Sequence, residues 1–414
     1  MHRTLNIMQA AENVVRRLRQ YGFEAYWAGG CVRDMLLERE PKDFDVATSA
    51  PPAEIMRIFS HTRQVGAKFG VVMVCQGRFW IETATFRTDL DYQDGRHPEQ
   101  VVFTTAEYDA QRRDFTINGL FYDPLEQKVI DYVGGRDDLE AGIIRAIGDA
   151  DQRFEEDHLR LLRAVRFAAR FGFAIEPDTA QAIRRHAAQI TTISPERIRE
   201  ESEKMFDHHS RAVSLGLLMD LGLLPHLWPG ESVKHITPPK TAIEIVQHLP
   251  EQADFVLTLA ALLHKQPVAN VRRIGHDLRC SNRQTDDLAW LIGHYARLDQ
   301  AATMDLASFK KLLAHPRFGD LLDLNAAVGA AKDVPSTSIQ AARHRCAEIP
   351  LDEIAPLPLV TGEDLIERGL QPGPDFKQIL DRLYDAQLNK QLTTREKALA
   401  ELDALVENAR GTKR

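Results

Sequence analysis

The stretch WAGGCVRDMLLEREPKDFDV, residues 27–46, joins a double glycine to two aspartates separated by one residue. Its pattern predicts a strand over 24–30, a helix over 31–38 and a second strand over 43–49. On a strand, Asp43 and Asp45 at i and i+2 project to one face, while Phe44 and Val46 turn to the other and anchor the core. Two like charges this close repel unless a cation sits between them. Mg²⁺ takes one or two carboxylates together with phosphate oxygens, so the pair suits a metal platform for phosphoryl transfer. Gly29 and Gly30 let the backbone approach a phosphate closely, the helix that follows offers free N–H groups, and Arg33 adds a fork-shaped cation. Singly, a surface aspartate pair is ordinarily solvated and a glycine pair is ordinarily a turn. In the order strand, glycines, helix with arginine, strand with aspartates, they point to a triphosphate cradle beside a metal site.

Outward from this segment the chain stays mixed up to about residue 148. PAEIMRIF (52–59) predicts a helix opening after a proline pair, and GVVMVCQGRFWIETATF (70–86) predicts two strands folded at Gln76-Gly77. RTDLDYQDGRHPEQ (87–100) is polar and charged, and predicts a mobile loop. From Asp149 onward helical periodicity takes over, in HLRLLRAVRFAARFGF (158–173), TAQAIRRHAAQI (179–190), PERIREESEKMF (195–206), SLGLLMDLGLLPHL (214–227) and FVLTLAALLHK (255–265). Proline and glycine clusters divide this helical part into sub-bundles. The fold class is therefore α+β, and 414 residues are enough for about two to four domains.

Bulk properties narrow the function less. A net charge of −8 means that any nucleic-acid partner is held by a local basic surface. The four cysteines include no CxxC pair, which argues against a disulfide framework and against a zinc site of that kind. No apolar run is long enough to span a bilayer and the N-terminus lacks a signal-peptide core, so a cytoplasmic location is expected.

EDHLRLLRAVRFAAR (156–170) sets Asp157, Arg160, Arg163, Arg166 and Arg170 at intervals of three and four, along one helical stripe, with Leu161, Val165 and Phe167 on the buried side. Solvated charge is the ordinary explanation for such a stripe. Asp157 and Arg160 nonetheless form an apt pair for a base. The acid accepts from the exocyclic amine of C or A, and the guanidinium donates to the adjacent ring acceptors. Neither G nor U offers that arrangement.

GGCVRDMLLEREPKDFDVAT (29–48) resembles the signature of the polymerase-β-like nucleotidyltransferases, specifically the family of class II tRNA nucleotidyltransferases and bacterial poly(A) polymerases. RRDFTINGLFYDP (112–124), IDYVGG (130–135), EEDHLRLLRAVRFAARFGF (155–173) and ISPERIREESEKM (193–205) resemble its successive motifs, in order and approximate spacing. The resemblance covers about the first 205 residues. It implies a catalytic head (1–148), a helical neck carrying the nucleotide-selecting helix (149–206), a helical body (207–335) and a helical tail (336–414) that binds tRNA. It implies addition of CMP and AMP from CTP and ATP to the tRNA 3′ end with Mg²⁺, releasing pyrophosphate. Asp43 and Asp45 would be the catalytic metal ligands, and Gly29, Gly30, Arg33, Arg113, Asp157, Arg160, Arg163 and Arg166 the nucleotide-binding set. Glu156 would orient Arg160. Glu82 becomes a third carboxylate near the metal if its strand lies beside that of Asp45, and otherwise faces solvent.

Relatives that add only CC are shortened at the segment matching 87–100, so its full length argues against a CC-only enzyme. GAKFGVV (66–72) is closer to the tRNA type than to the more basic poly(A) type. An A-adding or CC-adding partial enzyme, a poly(A) polymerase and an RNA-binding protein with an idle site are the alternatives. FVLTLAALLHK is similar to the HD phosphohydrolase pattern, but Lys265 stands where that pattern needs an aspartate. The basic run NVRRIGHDLRCSNRQ (270–284) is a candidate for tRNA contact.

Overall fold

The structure, a computed structural model, describes residues 5–66, 70–92, 98–227, 239–334 and 337–411. Helix α1 (Ile7–Gln20) opens on a capping box between Asn6 and Gln9 and buries Ala10, Ala11, Val14, Val15 and Leu18. Strand β1 (Ala25–Ala28) leads into α2 (Gly30–Leu36), and β2 (Asp45–Thr48) and α3 (Pro52–Ile58) follow. Strands β3 (Thr62–Gly66), β4 (Val71–Gln76) and β5 (Phe79–Thr85) come next, with the β4–β5 hairpin turning at Gly77, which has φ +64°. The short strands β8 (Phe121–Asp123) and β9 (Lys128–Ile130) complete a seven-stranded sheet of order β3-β4-β5-β2-β1-β8-β9. All its pairings are antiparallel except β2 with β5.

Aromatic packing behind this sheet holds the aspartate segment in place. Phe44 meets Trp27 edge to face at 4.8 Å, and Trp27 stacks on Tyr122 of β8 at 5.5 Å. Phe44 and Val46 are buried as expected. The strand itself is shorter than predicted: β2 begins at Asp45, and Asp43 belongs to the connection before it.

The polar segment 87–100 differs more. Strands β6 (Arg87–Tyr92) and β7 (Pro98–Phe103) pair antiparallel from Arg87↔Phe103 to Tyr92↔Pro98, a two-stranded arm rather than a loop. Backbone pairing along the two strands, which the polarity of the segment does not reveal, decides the outcome. Residues 93–97 at its tip lie outside the described residues, as do residues 67–69 of GAKFGVV.

After α4 (Ala106–Gln111), α5 (Gly135–Ala141) and β10 (Ile143–Ile144), the chain becomes helical. Helices α6 (Ala150–Glu156), α7 (Leu159–Phe171), α8 (Pro177–His186), α9 (Pro195–Phe206) and α10 (Arg211–Asp220) follow. One strand interrupts them: β11 (Ala174–Ile175) runs parallel to β10 and stitches the end of α7 to the head. The segment 179–190 divides into α8 and a 3₁₀ turn, Ala187–Thr192, and 214–227 breaks at Gly222 (φ +72°) before α11 (Leu224–Leu227).

Two compact units result, Met1–Val233 with Asp277–Arg279, and Lys234–His276 with Cys280–Arg414. The second is helical throughout its described residues, beginning with α12 (Pro239–Gln247) and α13 (Phe255–Leu263) and closing with Arg395–Gly411. His264, at the end of α13, is buried with Nδ1 2.8 Å from the Ala261 carbonyl. No helix among the described residues is long and apolar enough to cross a membrane.

Candidate active site

A cavity of about 570 Å³ in the first unit gathers eleven of the twelve expected site residues, all but Glu156. Asp43, Asp45 and Glu82 reach it from the connection before β2, from β2 and from β5, Gly29, Gly30 and Arg33 from the β1–α2 segment, and Asp157, Arg160, Arg163 and Arg166 from the α6–α7 segment.

The acidic side is an electrostatic strain. The register Val46↔Thr83 sets β5 beside β2, which brings Glu82 to the aspartates. Burial, then the charges of Glu82 and Asp43, push the Asp45 carboxyl up to about 7, with Arg113 offsetting part of the effect. Burial and Asp43 likewise push Glu82 up. Acids that raise one another in this way fit a divalent cation, which relieves the repulsion. Among the described residues no three acidic, His or Cys side chains form a metal cage.

The glycine turn has a use the sequence did not disclose. Gly29 has φ +70°, and a Cβ there would meet Arg113 Nη1 at 2.8 Å. That guanidinium donates to the Asn118 carbonyl at 3.2 Å, and its Nη2 donates to Asp109 Oδ2 at 3.0 Å. Arg113 is thus seated on the bare backbone of Gly29 and tethered to Asp109. A salt bridge to Asp114, the simple expectation for neighbours in sequence, is not what forms. Burial works against charge on Asp109, but Arg113 and Arg112 outweigh it and hold its carboxyl low. At Gly30 an added Cβ meets only Arg33 Nη2, at 3.6 Å. Gly29→Ala is therefore expected to cost about 1–3 kcal/mol, which lowers the melting temperature by several degrees. Gly30→Ala should leave it almost unchanged, and thermal melts of the two variants check this.

Arg33 is buried and less free than a phosphate fork needs to be on sequence grounds. Its Nη1 donates to Asn118 Oδ1 at 2.6 Å, and its Nε and Nη2 donate to Asp34 Oδ1 at 2.9 and 2.7 Å. Its plane lies over Phe171 at 4.7 Å and Phe167 at 5.2 Å. Two of its five N–H groups remain for a ligand.

The arginine stripe of α7 is half-buried to buried rather than the solvated face that its spacing suggests. Arg160 and Arg166 are each only 8% exposed. Arg160 Nη1 donates to Glu156 Oε2 at 2.7 Å and to the Arg153 carbonyl at 2.8 Å, and Nη2 to the Arg112 carbonyl at 3.1 Å. Glu156, outside the cavity lining, is thus paired with Arg160. Arg163 Nε donates to Asp114 Oδ2 at 2.8 Å, and Arg166 Nε to Glu201 Oε2 at 2.6 Å. Burial alone would raise Asp114; Arg163, the Asn118 amide and Arg160 instead hold it down at about 2.

Phe167 is buried, as the sequence reading has it, and also takes part in the site. It shares the arginine side, lines the cavity and lies under Arg33, Arg163 and Arg166 at 5.2, 5.2 and 4.2 Å. Asp157 falls between α6 and α7, where Oδ1 accepts from Leu159 N at 3.0 Å and Oδ2 from Arg197 Nη2 at 2.8 Å.

The partners Asp109, Asn118, Arg197 and Glu201 were missed. Asn118 belongs to the quoted run RRDFTIN and Glu201 to PERIREESEKMF, but nothing local says whom they face.

Comparison with known proteins agrees with this architecture. The family pattern of the "Poly A polymerase head domain" matches residues 25–145, and that of "tRNA nucleotidyltransferase domain 2" matches residues 248–402. The chain is 35% identical over 388 residues to the CCA-adding enzyme of Geobacillus stearothermophilus, covering 92% of this chain and 93% of the relative. It is 33% identical over 405 residues to that of Lactiplantibacillus plantarum, covering 97% of each. A crystal structure of the Bacillus stearothermophilus CCA-adding enzyme in complex with CTP superposes with a TM-score of 0.77 at 30% identity, covering 98% of this chain and all of that one. The Thermotoga maritima CCA-adding enzyme complexed with tRNA shares the fold, with a TM-score of 0.67 at 21% identity over 98% of this chain and 97% of its own. With identity of this level over nearly the whole of both chains, the chain belongs to the CCA-adding enzymes, the class II tRNA nucleotidyltransferases.

Proposed function

We propose that the protein adds CMP and AMP, without a nucleic-acid template, to the 3′ end of tRNA, using CTP and ATP and releasing pyrophosphate. The observation that carries this is the single cavity in which Asp43, Asp45 and Glu82 share space with Asp157 and Arg160. One wall suits metal and phosphate, the other a base.

The family's chemistry uses a divalent metal, and we assign Mg²⁺ to Asp43 and Asp45, with Glu82 beside them. Bound there, it supplies charge stabilisation at the reacting phosphate. The main chain at Gly29 and Gly30 and the two remaining N–H groups of Arg33 receive the triphosphate, with Arg113 beside them. Asp157 accepts from the amine of C or A and Arg160, held by Glu156, donates to the ring acceptors. Arg163 and Arg166 complete the cationic wall. The tRNA 3′-oxygen then bonds to the α-phosphorus as the bond to pyrophosphate breaks, a reaction in which positioning and fixed charge do most of the catalysis.

In this reading head (1–148) and neck (149–206) perform the chemistry, body (207–335) and tail (336–414) hold the tRNA through phosphates and 2′-hydroxyls, and the protein works in the cytoplasm. The experiment is extension of three tRNA substrates, ending before CC, after C and after CC, with labelled CTP or ATP and Mg²⁺. The full reaction is expected on all three. Incorporation restricted to A or to CC would identify a partial enzyme, and repeated A addition to unstructured RNA a poly(A) polymerase. Binding of tRNA without any incorporation would leave an RNA-binding protein with an idle site.

A further inference from the structure

We propose that α9 governs base selection from outside the cavity: Arg197, which is not among the residues lining the site, orients Asp157 and so sets the discrimination of C and A against U and G. The proposal rests on the role given above to Asp157.

Helix α9 begins at Pro195, and its Arg197 and Glu201, four residues apart, share one face. That face meets the cavity wall with inverted charge. Its cation holds the wall's acid, and its acid, 2% exposed, holds the wall's cation Arg166. Lys204 donates to the other oxygen of Glu201 at 3.0 Å, which leaves that carboxylate fixed as well.

The consequence at Asp157 is specific. Leu159 N–H takes one lone pair of Oδ1 and Arg197 takes one of Oδ2, so the carboxylate plane cannot rotate without losing a partner. Each oxygen keeps a second lone pair for a ligand. An ionised acceptor fixed in this way attracts the amine of C or A and repels the carbonyl oxygen that U or G presents in its place. Without Arg197 the carboxylate is free to turn away. That turn weakens the attraction and also removes the repulsion, and discrimination is the sum of both.

The test compares CTP with UTP on a tRNA ending before CC, measuring kcat and KM for each nucleotide in wild type, Arg197→Met, Arg197→Lys and Asp157→Ala. Arg197→Met is expected to lower the CTP-to-UTP ratio of kcat/KM about tenfold or more, chiefly through KM for CTP, as loss of a hydrogen bond to a charged group implies. Arg197→Lys should restore most of the ratio. If Arg197→Met lowers use of both nucleotides equally, Arg197 serves only to hold α9 and the proposal fails. If Asp157→Ala relaxes the ratio while Arg197→Met does not, the proposal fails and the role of Asp157 stands. If Asp157→Ala leaves the ratio unchanged, both fail. Should Arg197→Met not fold, Arg197→Gln carries the same comparison.

Discussion

Replacing Asp43 or Asp45 by alanine is expected to lower nucleotide incorporation by about 10²–10³-fold or more, the cost of losing a principal electrostatic element of a transfer site. Full incorporation by either variant would remove the metal assignment. Asp45→Asn carries a second, opposite expectation. The Asp45 carboxyl stands at about 7 against an ordinary 3.8, so the folded chain holds this proton more tightly than the unfolded one. The stability this provides is complete below the ordinary value and is lost as pH rises through about 7. At pH 8, without divalent metal, Asp45→Asn should therefore melt a few degrees above wild type while being inactive. Near pH 4 the difference should close. Adding Mg²⁺ at pH 8 should raise the melting temperature of wild type and leave that of Asp45→Asn unmoved. An Asp45→Asn protein that melts below wild type at pH 8 would contradict the buried repulsion described here.

Arg163→Met should damage the fold rather than only the chemistry. It strands Asp114, a buried carboxylate that Arg163 grips through both Nε and Nη2, at 2.8 and 2.7 Å. Breaking such a pair costs about 3–5 kcal/mol, on the order of 10 °C in melting temperature. The sign with pH follows from the depressed value of about 2 at Asp114. Its contribution is present above the ordinary 3.8 and disappears as pH falls through about 2, so the gap between wild type and Arg163→Met should narrow on acidification. Adding Asp114→Asn to Arg163→Met should recover part of the loss, because an amide leaves no charge behind and keeps the neighbours of Asp114 bonded. A double variant no more stable than Arg163→Met would mean that Arg163 supports the fold by packing alone.

Sequence legibility ended where contacts became long-range. The turn at Gly29 and α9, whose bounds Pro195–Phe206 match the predicted helix, were legible because their geometry is local, though the strand expected to carry Asp43 begins only at Asp45. Turn conformation, strand alternation and a proline at a helix start are set within a few residues. The partners of the arginines were not legible. Arg33 finds Asn118, Arg163 finds Asp114 and Arg166 finds Glu201 across separations of 85, 49 and 35 residues. A period of 3.6 says which residues share a stripe, but not whether that stripe meets water or another acid-bearing helix. Phe167 is buried as read, but its place under three arginines was not legible for the same reason. The β6–β7 arm was missed because polar and charged residues dominate 87–100, while the partners of the opening residues of its first strand, up to Phe103, lie beyond that segment.

That arm imposes an arithmetic on how the chain can vary. Its strands pair residue for residue from Arg87↔Phe103, and Thr104 N donates to the Phe86 carbonyl at its root. Arg87 lines the cavity from the first rung. Side chains alternate faces along a strand, so one residue inserted into or removed from a single strand reverses everything between it and the tip, and a shifted register at the root would turn Arg87 away. Length changes confined to the tip, or of two residues in each strand together, leave every remaining rung facing as before. Natural length variation here should therefore gather at the tip, and an engineered arm should be trimmed from there.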